Sequence, residues 1–325
     1  MIKIDISHEK KQRIEAYLLK DLVGNPPKRY GKLIGALGRA GSRHLVQNYS
    51  VALHDYLYKD TGEPDVENIK ELLLADRKKM ELFIKRFTPV HSACADDLLD
   101  KIFQYKNFAN RKVVREILRE MEIPVCPYCN RLYITVLKRG KVRAQMDHFF
   151  PKTRYPYLAL CLYNLVPSCG VCNQAKSELD TKSFPLLYPY EEEFGEEATF
   201  TLDLKDQKDF VQKMQGASGE IQVRINNPEP LSDFGKKVNQ QDARLHLTDL
   251  YNEHGAYIAD ILRSYHVNTE ARVTELLQRF PALFSSRDEI RNLIFMSCLE
   301  KNRWGERPLA KLTHDICCEL DALLV

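Results

Sequence analysis

No stretch of the chain approaches the roughly 18 consecutive apolar residues that a membrane-crossing helix needs. The opening segment MIKIDISHEKKQRIEAY holds neither an apolar h-region nor a small-residue cleavage site. Internal repeats, low-complexity tracts and long linkers are lacking as well. So is a strong charge of one sign: 48 Lys and Arg against 45 Asp and Glu leave a formal net charge of +3. Strongly basic domains are the usual electrostatic footprint of nucleic-acid binding, so only local clusters can argue for such a partner here. These absences exclude a helical membrane protein and a disordered chain, and lead to the expectation of a cytoplasmic protein. The apolar content of 44% and charged content of 29% are those of ordinary globular proteins. The length of 325 residues accommodates two or three modules.

The elements read as mainly α with a small α+β insert. A helical region spans 1–120, an α+β module 121–180, and a C-terminal region 181–325 that opens with short β segments (about 198–226) and continues as helices. Ser7 is placed to cap a first amphipathic helix. Residues 66–120 have helical apolar spacing, with breaks at Pro89 and Asn107–Asn110. Pro124 ends that block. Leu132–Leu137 and Val142–Phe149 then read as two strands of a hairpin around KRGK, followed by the extended NLVPSC and a polar helix GVCNQAKSEL.

Residues 28–46 interleave Lys28, Arg29, Lys32, Arg39, Arg43 and His44 with Gly31, Gly35, Gly38 and Gly41. No Gly-Lys-Ser/Thr follows, so this is no P-loop. It reads either as a solvated basic surface or as a patch contacting phosphate backbone.

Nine cysteines occur, and in a reducing compartment spaced pairs read as metal ligands before disulfides. Cys126-Pro-Tyr-Cys129 and Cys169-Gly-Val-Cys172 are two such pairs, 39 residues apart. Four thiolates complete a closed tetrahedral zinc shell with no open position, so this zinc is expected to hold structure and do no chemistry. A redox C-x-x-C needs a βαβ context that is lacking here. The other five cysteines, Cys161 between the knuckles included, read as small buried hydrophobes.

Between the knuckles stand Asp147, His148 and Asn164, and Asn173 follows the last cysteine. The pattern MDHFFPK…YNLVPSCGVCNQAKSE resembles the HNH nucleases, in the branch whose ββα-metal finger carries a four-cysteine zinc. The matching residues are Asp147, His148, Pro151, Asn164, Leu165, Cys169, Cys172, Asn173 and Lys176, with Asn173 standing where the family name has a second His. The resemblance covers about 125–178. It implies helical N- and C-terminal regions around a zinc-stapled ββα finger, and phosphodiester hydrolysis at a second, catalytic metal ion.

A hard divalent cation such as Mg²⁺ or Mn²⁺ takes oxygen ligands. Asp147 and the side-chain oxygen of Asn173 are the candidates, and His148 is the expected general base. Asn164 is expected to brace the loop that orients it. Lys176, Lys152 and Arg154 are candidate phosphate contacts, with Lys28, Arg29 and Lys32 in the basic patch. Adjacent strand residues point to opposite faces, so Asp147 and His148 share one site only if the strand end twists.

The helical C-terminal stretches also resemble HNH proteins of bacterial phage-defence systems, Septu-type systems among them, in which the nuclease works with an ABC/SMC-like ATPase. DNA is the expected substrate. A non-catalytic zinc-stabilised adaptor and an RNA-directed nuclease are the alternative readings.

Overall fold

A computed structural model describes residues 1–88, 94–137, 144–204 and 221–323. The chain is mostly helical with a few short strands, and it divides into two compact units. No helix among the described residues is long and apolar enough to cross a membrane.

The larger part of the first unit is Asp5–Ile123, joined by Ile134–Pro185. Its elements begin with α1 (His8–Leu22), β1 (Gly24–Asn25), β2 (Arg29–Tyr30), α2 (Lys32–Leu37), α3 (Ser42–Tyr49) and α4 (Val51–Leu57). There follow α5 (Val66–Leu73), α6 (Arg77–Phe87), α7 (Ala95–Leu98), α8 (Tyr105–Ala109) and α9 (Lys112–Met121). Ser7 caps α1 as its sequence position suggests, its side chain accepting from Lys10 N. Asp65 and Asp76 cap α5 and α6 in the same way.

Helix α9 buries Val113, Val114, Ile117, Leu118 and Met121, a stripe at helical spacing. Arg13 of α1 meets Glu120 of α9 at 2.7 Å. The break after α8 falls at Asn110, within the Asn107–Asn110 segment where the sequence places it; Pro89 and the KRGK turn lie outside the described residues. Gly31 allows a close backbone approach: an added Cβ would lie 2.4 Å from the Leu22 carbonyl carbon.

The rest of this unit is short. β3 (Gln145–His148) pairs antiparallel with β4 (Leu165–Ser168), in the register Gln145↔Ser168 to His148↔Leu165, and α10 (Gly170–Lys176) follows directly. The expected hairpin between Leu132–Leu137 and Val142–Phe149 is therefore corrected. Tyr133 makes only an isolated bridge to Val125. Leu132 is occupied elsewhere, because its carbonyl accepts from Cys126 N at 3.0 Å and closes the first cysteine turn. The apolar YLALCLY forms 3₁₀ turns, Pro156–Leu158 and Leu162–Asn164, and no α-helix.

The second unit comprises Met1–Ile4, Pro124–Tyr133 and Leu186–Val325. β5 (Thr199–Leu202) and β6 (Val223–Asn226) pair antiparallel. They are followed by α11 (Asp233–Leu245), α12 (Leu247–Asn252), α13 (Gly255–Val267), α14 (Glu270–Arg279), α15 (Arg287–Ile294) and α16 (Ala310–Leu323). Its core gathers Phe200, Leu202, Val223, Tyr251, Ile258, Leu262, Leu312, Ile316 and Leu320. Asn130, fully buried at φ 48°, donates to Trp304 O at 2.8 Å and accepts from Lys311 N at 3.0 Å.

Candidate active site

The short strand β3 sets the site. Met146, Phe149 and Phe150 are buried around the Asp147–His148 pair, and the Phe149 and Phe150 rings pack edge-on at 5.2 Å. His148 is the last residue of β3. Beyond it Phe149 N donates to Asn164 O at 2.8 Å as the chain turns. At this strand end both residues line one cleft of about 420 Å³.

The His148 ring is held on two sides. Its Nε2 lies 3.1 Å from Ala159 O. A carbonyl only accepts, so Nε2 carries the proton and Nδ1 is the lone-pair nitrogen. Tyr105 packs edge-on against the ring at 4.3 Å, and its hydroxyl donates to Met146 O at 3.1 Å. Burial, reinforced by the positive charges of Lys152 and Lys176 and opposed by the Ala159 hydrogen bond, lowers the imidazole pKa to about 3. The ring is neutral across the physiological range.

Asn164 is fully buried and ties this loop together. Its Oδ1 accepts from Phe150 N at 2.8 Å, and its Nδ2 donates to Phe150 O at 3.0 Å and Leu158 O at 3.1 Å. It fixes both ends of the loop that carries Ala159, the partner of His148.

Asn173, in the middle of α10, faces the same cleft as Asp147 and His148. Its Nδ2 donates to Gln145 Oε1 at 2.6 Å, which leaves Oδ1 as the acceptor. One carboxylate and one amide oxygen beside an open cleft are a donor set that suits a hard divalent cation, which completes its shell with water and phosphate. Lys152 also lines the cleft, with its ammonium 3.9 Å from Glu178. Arg154 is exposed, 3.3 Å from Asp180, and does not line the cleft. Lys28, Arg29 and Lys32 are exposed on the β1–β2 hairpin and at the start of α2.

Lys176 departs from its expected place. A phosphate contact requires an exposed ammonium, and Lys176 has 0% exposure. Its Nζ donates to His148 O at 2.6 Å and to Asp147 Oδ1 at 3.3 Å, and lies 3.2 Å from Asp147 Oδ2. Position 176, one turn after Asn173, puts the side chain on the inner face of α10.

The four paired cysteines are all buried, and their sulfurs lie within 4.8 Å of one another. Backbone N–H groups point at two of them: Arg131 N at Cys129 Sγ and Cys172 N at Cys169 Sγ, each at 3.4 Å. Such donors favour the thiolate form that a metal requires. The set fits a structural metal such as zinc. Of the remaining five cysteines, Cys161, Cys298 and Cys317 are buried as expected, whereas Cys94 is half-buried and Cys318 exposed.

The chain is similar to the Septu protein PtuB of Bacillus thuringiensis. Identity is 34% over 76 residues, which is 23% of this chain and 28% of PtuB. The similarity thus spans less than a third of PtuB's own length. No protein-family model matches the chain, and no solved structure does.

Gln145 and Tyr105 are among the cleft residues that escape sequence reasoning. Gln145 had a usable signal: two positions before Asp147 on a strand, it shares that residue's face. Tyr105 had none, because it comes from a helix in a distant part of the sequence.

Proposed function

We propose that this protein is a metal-dependent endonuclease of the HNH type, with His148 as general base and a divalent cation held by Asp147 and Asn173. One observation carries the reading: Asp147, His148 and Asn173 line a single cleft, with the tautomer of His148 set by Ala159 O. A cation held by Asp147 and Asn173 would supply Lewis-acid charge neutralisation for the phosphate and its leaving group. His148 Nδ1 takes the proton from the attacking water. Asn164 keeps the loop from turning the imidazole away, and Gln145 presents the Asn173 amide with its oxygen toward the cleft. Lys152, at the cleft, supplies positive charge to the incoming backbone, and Arg154 and the Lys28–Lys32 patch extend that contact.

DNA is the proposed substrate, and the similarity to a Septu protein supports a role in phage defence. There the protein works in the cytoplasm with further components, an ABC/SMC-like ATPase among them. The cysteine cluster holds zinc and takes no part in the chemistry.

The test is plasmid nicking in Mg²⁺ or Mn²⁺, alone and with the ATPase of the same defence system. His148→Ala abolishes cleavage while zinc content and thermal unfolding stay as in the wild type. Full activity in that variant would sink the catalytic assignment. Absence of cleavage of DNA and RNA by the wild type under all these conditions favours a zinc-stabilised adaptor.

A further inference from the structure

We infer that Lys176 is an internal counter-cation of this site: it orients the Asp147 carboxylate, and it keeps protein-only affinity for a divalent cation low until a phosphate enters the cleft. The inference rests on the metal-dependent reading above and assigns a role that reading does not contain.

Lysine is almost never fully buried without a charged partner. Lys176 is buried completely, and its ammonium reaches both Asp147 oxygens and the His148 carbonyl. The contact to the His148 peptide, at 2.6 Å, is the shortest of the three. One side chain thereby connects the proposed metal ligand to the backbone of the proposed base. It projects from the same short helix that carries Asn173 to the cleft. The first turn of that helix is fixed by Cys169, whose sulfur accepts from Cys172 N.

The charge count follows from these residues. The proposed ligands are one carboxylate and one neutral amide, and the carboxylate already faces an ammonium. Lys176 and Asp147 cancel, Asn173 adds no charge, and Lys152 and Glu178, which also line the cleft 3.9 Å apart, offset one another. A divalent cation therefore meets little net attraction from the protein and shares its carboxylate with a positive neighbour. Phosphate brings the missing negative charge, so cation and nucleic acid load the site together, each strengthening the other's binding.

Removing the ammonium has two opposing effects on cation affinity. Repulsion between Lys176 and the cation disappears, which tightens binding. The carboxylate gains rotational freedom, which weakens it. Like charges on one buried carboxylate interact more strongly than the freedom of a single side chain costs, so tightening wins.

The test uses the zinc-loaded chain of residues 1–325 with Mn²⁺ as probe, followed by electron paramagnetic resonance. Lys176→Met is expected to bind Mn²⁺ ~10-fold or more tightly than the wild type. Its kcat on DNA is expected to fall ~100-fold with KM for DNA nearly unchanged, because the ligand and the base lose their alignment. A residue that merely supports the fold gives unchanged or weaker Mn²⁺ binding, and that result in a folded variant overturns the inference.

If Lys176→Met fails to retain zinc and fold, Lys176→Gln preserves a donor for the His148 carbonyl and carries the same test. A further arm needs no change at Lys176. In His148→Ala, which keeps DNA uncut, adding a DNA duplex is expected to tighten Mn²⁺ binding ~10-fold or more. Tight Mn²⁺ binding that ignores DNA overturns the inference even if both Lys176 variants misfold. The two readings separate cleanly. Wild-type protein that binds Mn²⁺ cooperatively with DNA and cuts nothing defeats the nuclease reading alone. Wild-type protein that cuts DNA while binding Mn²⁺ tightly in its absence defeats the Lys176 role alone.

Discussion

At the scale of single residues, burial and hydrogen-bond direction define the chemistry. His148 is neutral because its ring is out of water, and its Nε2 is committed to Ala159 O. The same burial links stability to pH. The unfolded imidazole titrates at 6.5 and the folded one at about 3, so between those values the unfolded chain holds a proton that the native chain does not. Stability therefore falls as pH drops from 6.5 toward 3. Urea unfolding at pH 7.5 and pH 5 is expected to show a smaller loss for His148→Gln than for the wild type; equal losses would remove His148 from the linkage. Asn164 makes three buried side-chain hydrogen bonds. Asn164→Ala is expected to cost about 2–4 kcal/mol of stability and to lower kcat more than KM, as measured by chemical denaturation and steady-state cleavage.

At the scale of elements, the seven-residue helix α10 does several jobs at once. Its N-cap is the sulfur of Cys169, its first turn contains Cys172, its middle presents Asn173, and its last residue is Lys176. A helix this short is marginal by propensity alone, so its position depends on what fixes its start. Cys172→Ala is accordingly expected to lose bound metal and, with it, cleavage activity, even though no cysteine touches the proposed substrate. Zinc analysis and nicking of the same preparation check this, and an active, metal-depleted variant would refute it.

The β1–β2 hairpin is the other element with a test of its own. Lys28, Arg29 and Lys32 are exposed there and at the start of α2. Replacing all three by Glu is expected to weaken DNA binding and to flatten the slope of log K against log salt by about 0.9 for each phosphate that is no longer neutralised. An unchanged slope would count against this patch. The expected hairpin fails because backbone groups on both of its arms had better partners. Leu132 closes the Cys126 turn and does not extend a hairpin, and β3 takes Leu165–Ser168 as its partner.

At the scale of the whole molecule, the chain combines many short helices with three two-stranded sheets among the described residues. The four buried cysteine sulfurs suit a structural metal, and binding at such a site contributes folding energy. Stripping zinc with a strong chelator at neutral pH is expected to lower the thermal midpoint of the full chain and abolish cleavage. Re-addition of Zn²⁺ together with Mg²⁺ restores activity, whereas Mg²⁺ alone does not. Differential scanning fluorimetry with a nicking assay follows both, and full recovery with Mg²⁺ alone would show the four thiolates to be dispensable.

The sequence by itself determined the residue types and their spacing. Two C-x-x-C pairs, an Asp-His at a strand end, and two asparagines at fixed intervals were legible because each is a local pattern tied to a known chemical need. Helical periodicity likewise placed most of the helices, since an amphipathic stripe is written in consecutive residues. Tertiary structure alone decided which strand pairs with β3, that Tyr105 packs on the catalytic candidate, and that Lys176 lies buried against Asp147. Those outcomes depend on partners far apart in the chain. A lysine one turn beyond Asn173 can point to solvent or inward, and only the packing of α10 against β3 selects between them.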